Sequence, residues 1–151
     1  AIRELQSNIK DERLSFSVGD HRDLAETANS QFDIVLSFGV IEHFDEYGLA
    51  LAEARRVLRP GGQLVLVQPH LLSFGVMQRC YLRIAGQWKF AEQRDFSFVY
   101  YRSLLRQVGF KNIQFLTTPP YPDMQITRVL DSIVKAIIPF WGHYLYLVAQ
   151  K

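Results

Sequence analysis

The chain has little of what most readily betrays a function. It carries one cysteine, Cys80, in 151 residues. That excludes an internal disulfide and any multi-cysteine metal site, and it suits a reducing, cytoplasmic setting. No stretch approaches the roughly 20 consecutive apolar residues of a spanning helix. Neither charge sign dominates: 17 Lys and Arg against 15 Asp and Glu leave a net charge of +2. The basic residues are scattered rather than massed, so no nucleic-acid partner is expected. The 4 histidines lack metal-ligand spacing, and no metal is expected. Repeats and low-complexity tracts are missing as well.

What remains is the composition of an ordinary globular protein, 48% hydrophobic and 21% charged, of a length that suits one domain with a real core. Its clearest unit is 32–69. Phe32 to Phe38 is an almost continuous apolar run of strand length, as in a strand covered on both faces. A helix is expected from Asp45 to Arg59, acidic at its start and basic at its end, with Leu51, Ala54 and Leu58 facing inward. Pro60-Gly61-Gly62 stops it, and Gln63 to Pro69 is the next strand. Strand, helix, strand is a parallel β-α-β unit, whose strand ends point into the ligand crevice of an open sheet.

Around this unit, Ile2, Leu5 and Ile9 have helical spacing, so 1–8 reads as the tail of a helix. A start in mid-helix without methionine predicts a piece whose earlier part is missing. Leu14 to Val18 alternates and is expected as a half-buried strand, followed by a short helical turn at Asp23 to Glu26. Further on come a helix over Leu72–Ile84, a loop over Gly86–Ser97, and a helix over Phe98–Val108 closed by Gly109. A strand over Asn112–Thr118, a helix from Asp123 to Ile138 and a last strand over Tyr144–Ala149 complete the chain.

Taken together, Asp20, Phe32-Asp33-Ile34-Val35, Glu42-His43, Arg56-Val57-Leu58-Arg59-Pro60-Gly61-Gly62 and Val108-Gly109-Phe110 resemble the class I S-adenosylmethionine-dependent methyltransferases, in particular their small-molecule group. The resemblance implies a Rossmann-like α/β sheet with helices on both faces and an antiparallel last strand. Leu14–Val18 would be the third strand and Phe32–Phe38 the fourth. The first two strands, with their Gly-x-Gly-x-Gly loop, have no counterpart in these residues. The whole of 1–151 then reads as a single partial methyltransferase domain, with 70–99 and 119–142 covering the acceptor site. In the family's sheet order the missing strands lie between the third and the fourth, so the fourth is expected to expose an apolar edge.

The cofactor implied is S-adenosylmethionine. By resemblance Asp20 accepts a hydrogen bond from the adenine amino group and His21 offers its backbone N–H, although Asp20 also reads as a turn aspartate. Ser37, Phe38 and Gly39 border the methionine part of the cofactor. Glu42, His70 and Tyr100 fall on the acceptor side, and His43 is the candidate base, since an oxygen or carbon acceptor can require one. The Glu42-His43 pair also reads as structural, and that reading is preferred to catalysis. The apolar and aromatic residues of the two cover segments suit a small-molecule or lipid-like acceptor, the latter with peripheral membrane contact. The rival reading is a non-catalytic methyltransferase-like structural or partner domain. With half of a cofactor site, this chain is expected to bind the cofactor weakly or not at all.

Overall fold

The computed structural model describes residues 9, 11–89, 94–118 and 125–151. Strand β1 (Phe32–Phe38) leads through a single 3-10 turn, Ile41–His43, to helix α1 (Tyr47–Val57) and strand β2 (Leu58–Pro69). Helices α2 (Phe74–Ile84) and α3 (Phe98–Val108) follow, then β3 (Lys111–Thr118), α4 (Gln125–Ile137) and β4 (Tyr144–Gln150). Among the described residues the strands form a 4-stranded sheet in the order β1-β2-β4-β3. β1 and β2 are parallel, while β4 runs antiparallel to both of its neighbours. This is the mixed α/β sheet with an antiparallel last strand that the sequence suggests.

The sheet's pleat separates two faces. Leu64, Leu66, Leu145, Leu147 and Ala149 lie on the covered face and are at most 1% exposed. They pack with Leu51 and Ala54 of α1 and with Tyr101 and Leu105 of α3. Leu51 and Ala54 of the inward stripe foreseen for this helix are buried, while Leu58, its third member, is buried as the first residue of β2. On the opposite face Ile34, Leu36 and Phe38 of β1 and Leu116 of β3 are each more than half exposed. β1 is the outermost strand among the described residues, and its apolar row is the exposed edge anticipated above.

Helix ends follow their caps. Ser73 accepts a hydrogen bond from the Val76 N–H at the start of α2, and Ser97 does the same for Tyr100 at the start of α3. Gly109 closes α3 at φ +100, a conformation that side chains other than glycine resist. The Asp123 cap expected for α4 lies outside the described residues, as does the helical tail at 1–8.

Three expectations need correction. Leu14–Val18 is not a strand: it has no ladder, and Leu14 and Val18 are 53% and 85% exposed. Alternation gives a segment the side chains of a strand, but no described strand runs beside it to receive its hydrogen bonds. Residues 23–26 form only a hydrogen-bonded turn, Thr27 N–H to Leu24 C=O, because the Leu24 N–H is taken by the Glu53 carboxylate. The Pro60-Gly61-Gly62 break lies inside β2, not before it. Leu58 pairs with Phe32 and Gln63 with Ile34, so the intervening residues bulge out.

Candidate functional site

The carboxyl end of β2 and the 3-10 turn after β1 open onto a cavity of about 610 Å³. His43, Pro69, Ser73, Arg79, Trp88 and His143 are among its lining residues. The 3-10 turn brings His43 there, α2 brings Ser73 and Arg79, and the start of β4 brings His143. Gly75 allows the close approach of that last ring, since a Cβ on it would lie 2.3 Å from His143 Cε1.

At the end of β1, Ser37 and Phe38 pair with Leu66 and Val67. Gly39 turns the chain at φ +60, its N–H donating to the Val67 carbonyl at 2.9 Å. This turn carries Glu42 inward. Glu42 is 3% exposed, and its Oε2 has no hydrogen-bond partner. Burial raises its pKa above the ordinary glutamate value, against a lowering by its own backbone N–H and by His43. His43 Nε2 stands 3.9 Å from Glu42 Oε1, too far for a hydrogen bond.

A buried ion pair stands next to this group. Arg79 and Asp95 meet at 2.7 Å with side chains only 9% and 10% exposed, and Arg79 lies 5.7 Å from the Trp88 ring centre. Burial raises the Asp95 pKa, while Arg79 and Arg83 oppose it. Tyr101 is 1% exposed with an unpartnered hydroxyl, which burial and the nearby carboxylates Glu42 and Asp95 hold strongly protonated. His70 is buried at the end of β2, its N–H bound to the His143 carbonyl, and burial lowers its pKa. Tyr100 stacks on Phe96 at 4.2 Å; burial and a hydrogen bond with Tyr47 push its pKa up to about 12.

The residues expected on the adenine side lie apart from this cavity. The Asp20 carboxylate is gripped by the Arg22 fork at 2.7–3.2 Å, which holds its pKa well below the usual carboxylate range. His21 packs on Phe44, ring centres 4.2 Å apart, with a buried Nε2 that has no partner. The loop carrying both is tied to α1 by Arg56, which donates to the carbonyls of Leu24 and Thr27, to Asn29 and to Glu53.

The structure thus sets His43 on the cavity wall, buries Glu42 behind it next to Gly39, and places Asp20 and His21 beside the start of α1. The Arg79–Asp95 pair and His143 are residues that sequence reading missed. Arg79 and Asp95 come together only because the loop after α2 folds back, and no local spacing signals that. Among the described residues, no group of three or more His, Cys, Asp and Glu side chains is placed to hold a metal. Likewise, no described helix is long and apolar enough to cross a membrane.

Comparison with known proteins bears on this architecture. A family model described as a methyltransferase domain matches residues 1–66. The polyketide synthase-nonribosomal peptide synthetase TwmB of Talaromyces wortmannii is 34% identical over 96 residues, 57% of this chain and 3% of that protein. A SAM-dependent methyltransferase structure from Thermotoga maritima superposes with a TM-score of 0.68 at 20% identity, covering 88% of this chain and 62% of its own. An S-adenosylmethionine-dependent methyltransferase from Mesorhizobium loti gives 0.69 at 15% identity over 99% of this chain and 75% of its own. Phosphoethanolamine N-methyltransferase 2 of Haemonchus contortus, in complex with S-adenosyl-L-methionine, gives 0.65 at 15% identity, over 99% of this chain and 39% of that one. The chain therefore spans less than two thirds of the Thermotoga structure and a small part of the fungal synthetase. The chain thus has the fold of S-adenosylmethionine-dependent methyltransferase structures, and its first 66 residues match a methyltransferase-domain model.

Proposed function

We propose that this chain takes part in methyl transfer from S-adenosylmethionine to a small or lipid-like acceptor held in the cavity beside His43. The observation that carries the reading is the cavity itself, at the carboxyl end of β2 in a sheet of methyltransferase type. The residues present fit one side of the cofactor. Gly39 leaves a surface free of a side chain at the end of β1, and the inward-facing Glu42 Oε2 has an unmet bond. Asp20 fits less freely, because an adenine amino group would share its oxygens with Arg22. No Gly-x-Gly-x-Gly run occurs in the sequence.

S-adenosylmethionine, the cofactor of this family, supplies an electrophilic methyl group. The chain's own contribution is alignment and exclusion of water. Ser37, Phe38 and Gly39 form the wall on the cofactor side. Arg79, Leu82 and Trp88 of the expected cover segment would close the acceptor side. His43, partly exposed on the cavity wall, would be the base that accepts a proton from the acceptor. His70 and Tyr100 hold the wall rather than touch the acceptor: one is buried, the other stacked. The exposed row Val129, Leu130, Ile133 and Ile137 on α4 favours a lipid-like acceptor met at a membrane surface.

Titration with S-adenosylhomocysteine, followed by amide NMR, tests the reading. Weak binding with shifts centred on Asp20 and on Ser37 to Gly39 is expected, and Asp20→Ala should abolish the shifts near Asp20. A spectrum unmoved at millimolar ligand would favour the second reading, a non-catalytic partner domain. That reading is supported by the exposed apolar row Ile34, Leu36 and Phe38, which suits a protein contact.

A further inference from the structure

At the other end of the sheet lies a groove that methyl transfer does not use. It has a volume of about 560 Å³ and sits at the amino ends of β2 and β3, away from the carboxyl ends that form the acceptor cavity. Three cations line it, Arg102 and Arg106 from successive turns of α3 and Lys111 from the start of β3. Four carboxamides, Gln63, Asn112, Gln114 and Gln150, line it too. No carboxylate is among its lining residues, and among the described residues none of the three cations is in a salt bridge.

In a chain of net charge +2, three adjacent cations without a counterion are a local excess that self-repulsion disfavours. The groove is also built rather than incidental. Asn112 adopts φ +48, a left-handed conformation in a residue other than glycine. It lies where the β3–β4 register shifts between Lys111 and Gln114, the kind of irregularity that re-aims side chains. Asn112 Nδ2 donates to Gln150 Oε1 at 2.8 Å, and Gln150 Nε2 donates to the Gly61 carbonyl at 3.2 Å, so two of the carboxamides are held in place. Arg102 rests on Phe98, 5.8 Å from the ring centre, and its Nε is buried without a partner. An N–H in that state gains most from an anionic acceptor.

We infer that this groove binds a phosphorylated small molecule, with its phosphates between Arg102, Arg106 and Lys111 and its hydroxyls or base edge against the carboxamides. Guanidinium forks suit phosphate oxygens, and the volume falls in the range of small-ligand sites. The cations are grouped in one depression and not strung along a stripe, which argues against a nucleic-acid strand. The inference does not depend on the methyltransferase reading.

Pyrophosphate is the probe. Titrated into the chain, it should bind one-to-one, weaken as salt rises, and shift amides confined to 102–114 and 148–150. Arg106→Gln and Lys111→Gln should each weaken binding by about tenfold, and Arg106→Lys should retain part of it. Lys89→Gln, which removes an exposed cation elsewhere, should leave affinity unchanged. Circular dichroism confirms that each variant is folded. Equal losses from Lys89→Gln, shifts spread over all basic residues, or no shift at millimolar pyrophosphate would overturn the inference. So would a groove that ignores pyrophosphate but binds polyglutamate, since the site would then be a protein contact.

Discussion

The two faces of the sheet hold similar residues and meet opposite fates. Leu66 and Leu36 are both leucines in the middle of a strand, yet Leu66 is 1% exposed beneath α1 and α3 and Leu36, on the outermost strand, is 59% exposed. Hydrophobicity alone does not settle burial; the sheet needs something to lay against each face, and the described helices α1 and α3 supply it on one side. The same contrast recurs at the sheet's two ends. The carboxyl end holds the buried ion pair Arg79–Asp95, whereas Arg102, Arg106 and Lys111 at the other end are in no salt bridge among the described residues.

The largest effect should come from truncation on the covered face. Leu66→Ala should cost about 2–5 kcal/mol in urea unfolding and Leu36→Ala less than about 1 kcal/mol. Equal costs would erase the distinction between the faces. Next is Gly75→Ala, whose methyl group must displace the His143 ring. A loss of about 1–3 kcal/mol is expected, together with a shift in the His143 ring resonances; an unmoved ring would show that the α2–β4 contact is looser than described.

Glu42→Gln sharpens the comparison from the side of charge. Burial raises the Glu42 pKa, so the folded chain holds a proton that the unfolded chain has released. The group's contribution to stability is therefore greatest below the ordinary glutamate pKa and declines as pH rises through the raised one. Glutamine, neutral at every pH, should gain on the order of 1 kcal/mol at neutral pH relative to wild type and lose that gain in acid. A constant difference across the titration would show that Glu42 does not titrate there. The smallest change in stability, within about 0.5 kcal/mol, is expected from Leu36→Ser on the open face. Its visible effect should be in sedimentation, as reduced self-association; unaltered association would mean that this row is not adhesive.

What could be read from the residues follows from how local each signal is. Helix α3 matches its expected limits because a serine cap and a closing glycine act within a turn of the helix. The strands of the central unit could be read because each apolar run is continuous. Leu14–Val18 failed because a strand is completed by its neighbour's hydrogen bonds, and alternation carries no information about whether that neighbour is present. In the site, Glu42 and His43 were legible as a polar pair after a strand. Arg79–Asp95 was not, since 16 residues and a folded-back loop separate the partners. His143 was hidden for a similar reason: its place on the cavity wall depends on the antiparallel return of β4.

Arg56 has a consequence for the order in which the chain assembles. Its guanidinium joins α1 to backbone carbonyls 29 and 32 residues earlier. A helix forms from contacts a few residues apart, whereas these bonds must first close a long loop. The segment bearing Asp20 and His21 is therefore expected to dock only after α1 has formed, which its protection from amide exchange relative to α1 during refolding would check. Local opening of that segment need break only a few polar contacts, leaving the β1–β2–β4 ladder intact behind it.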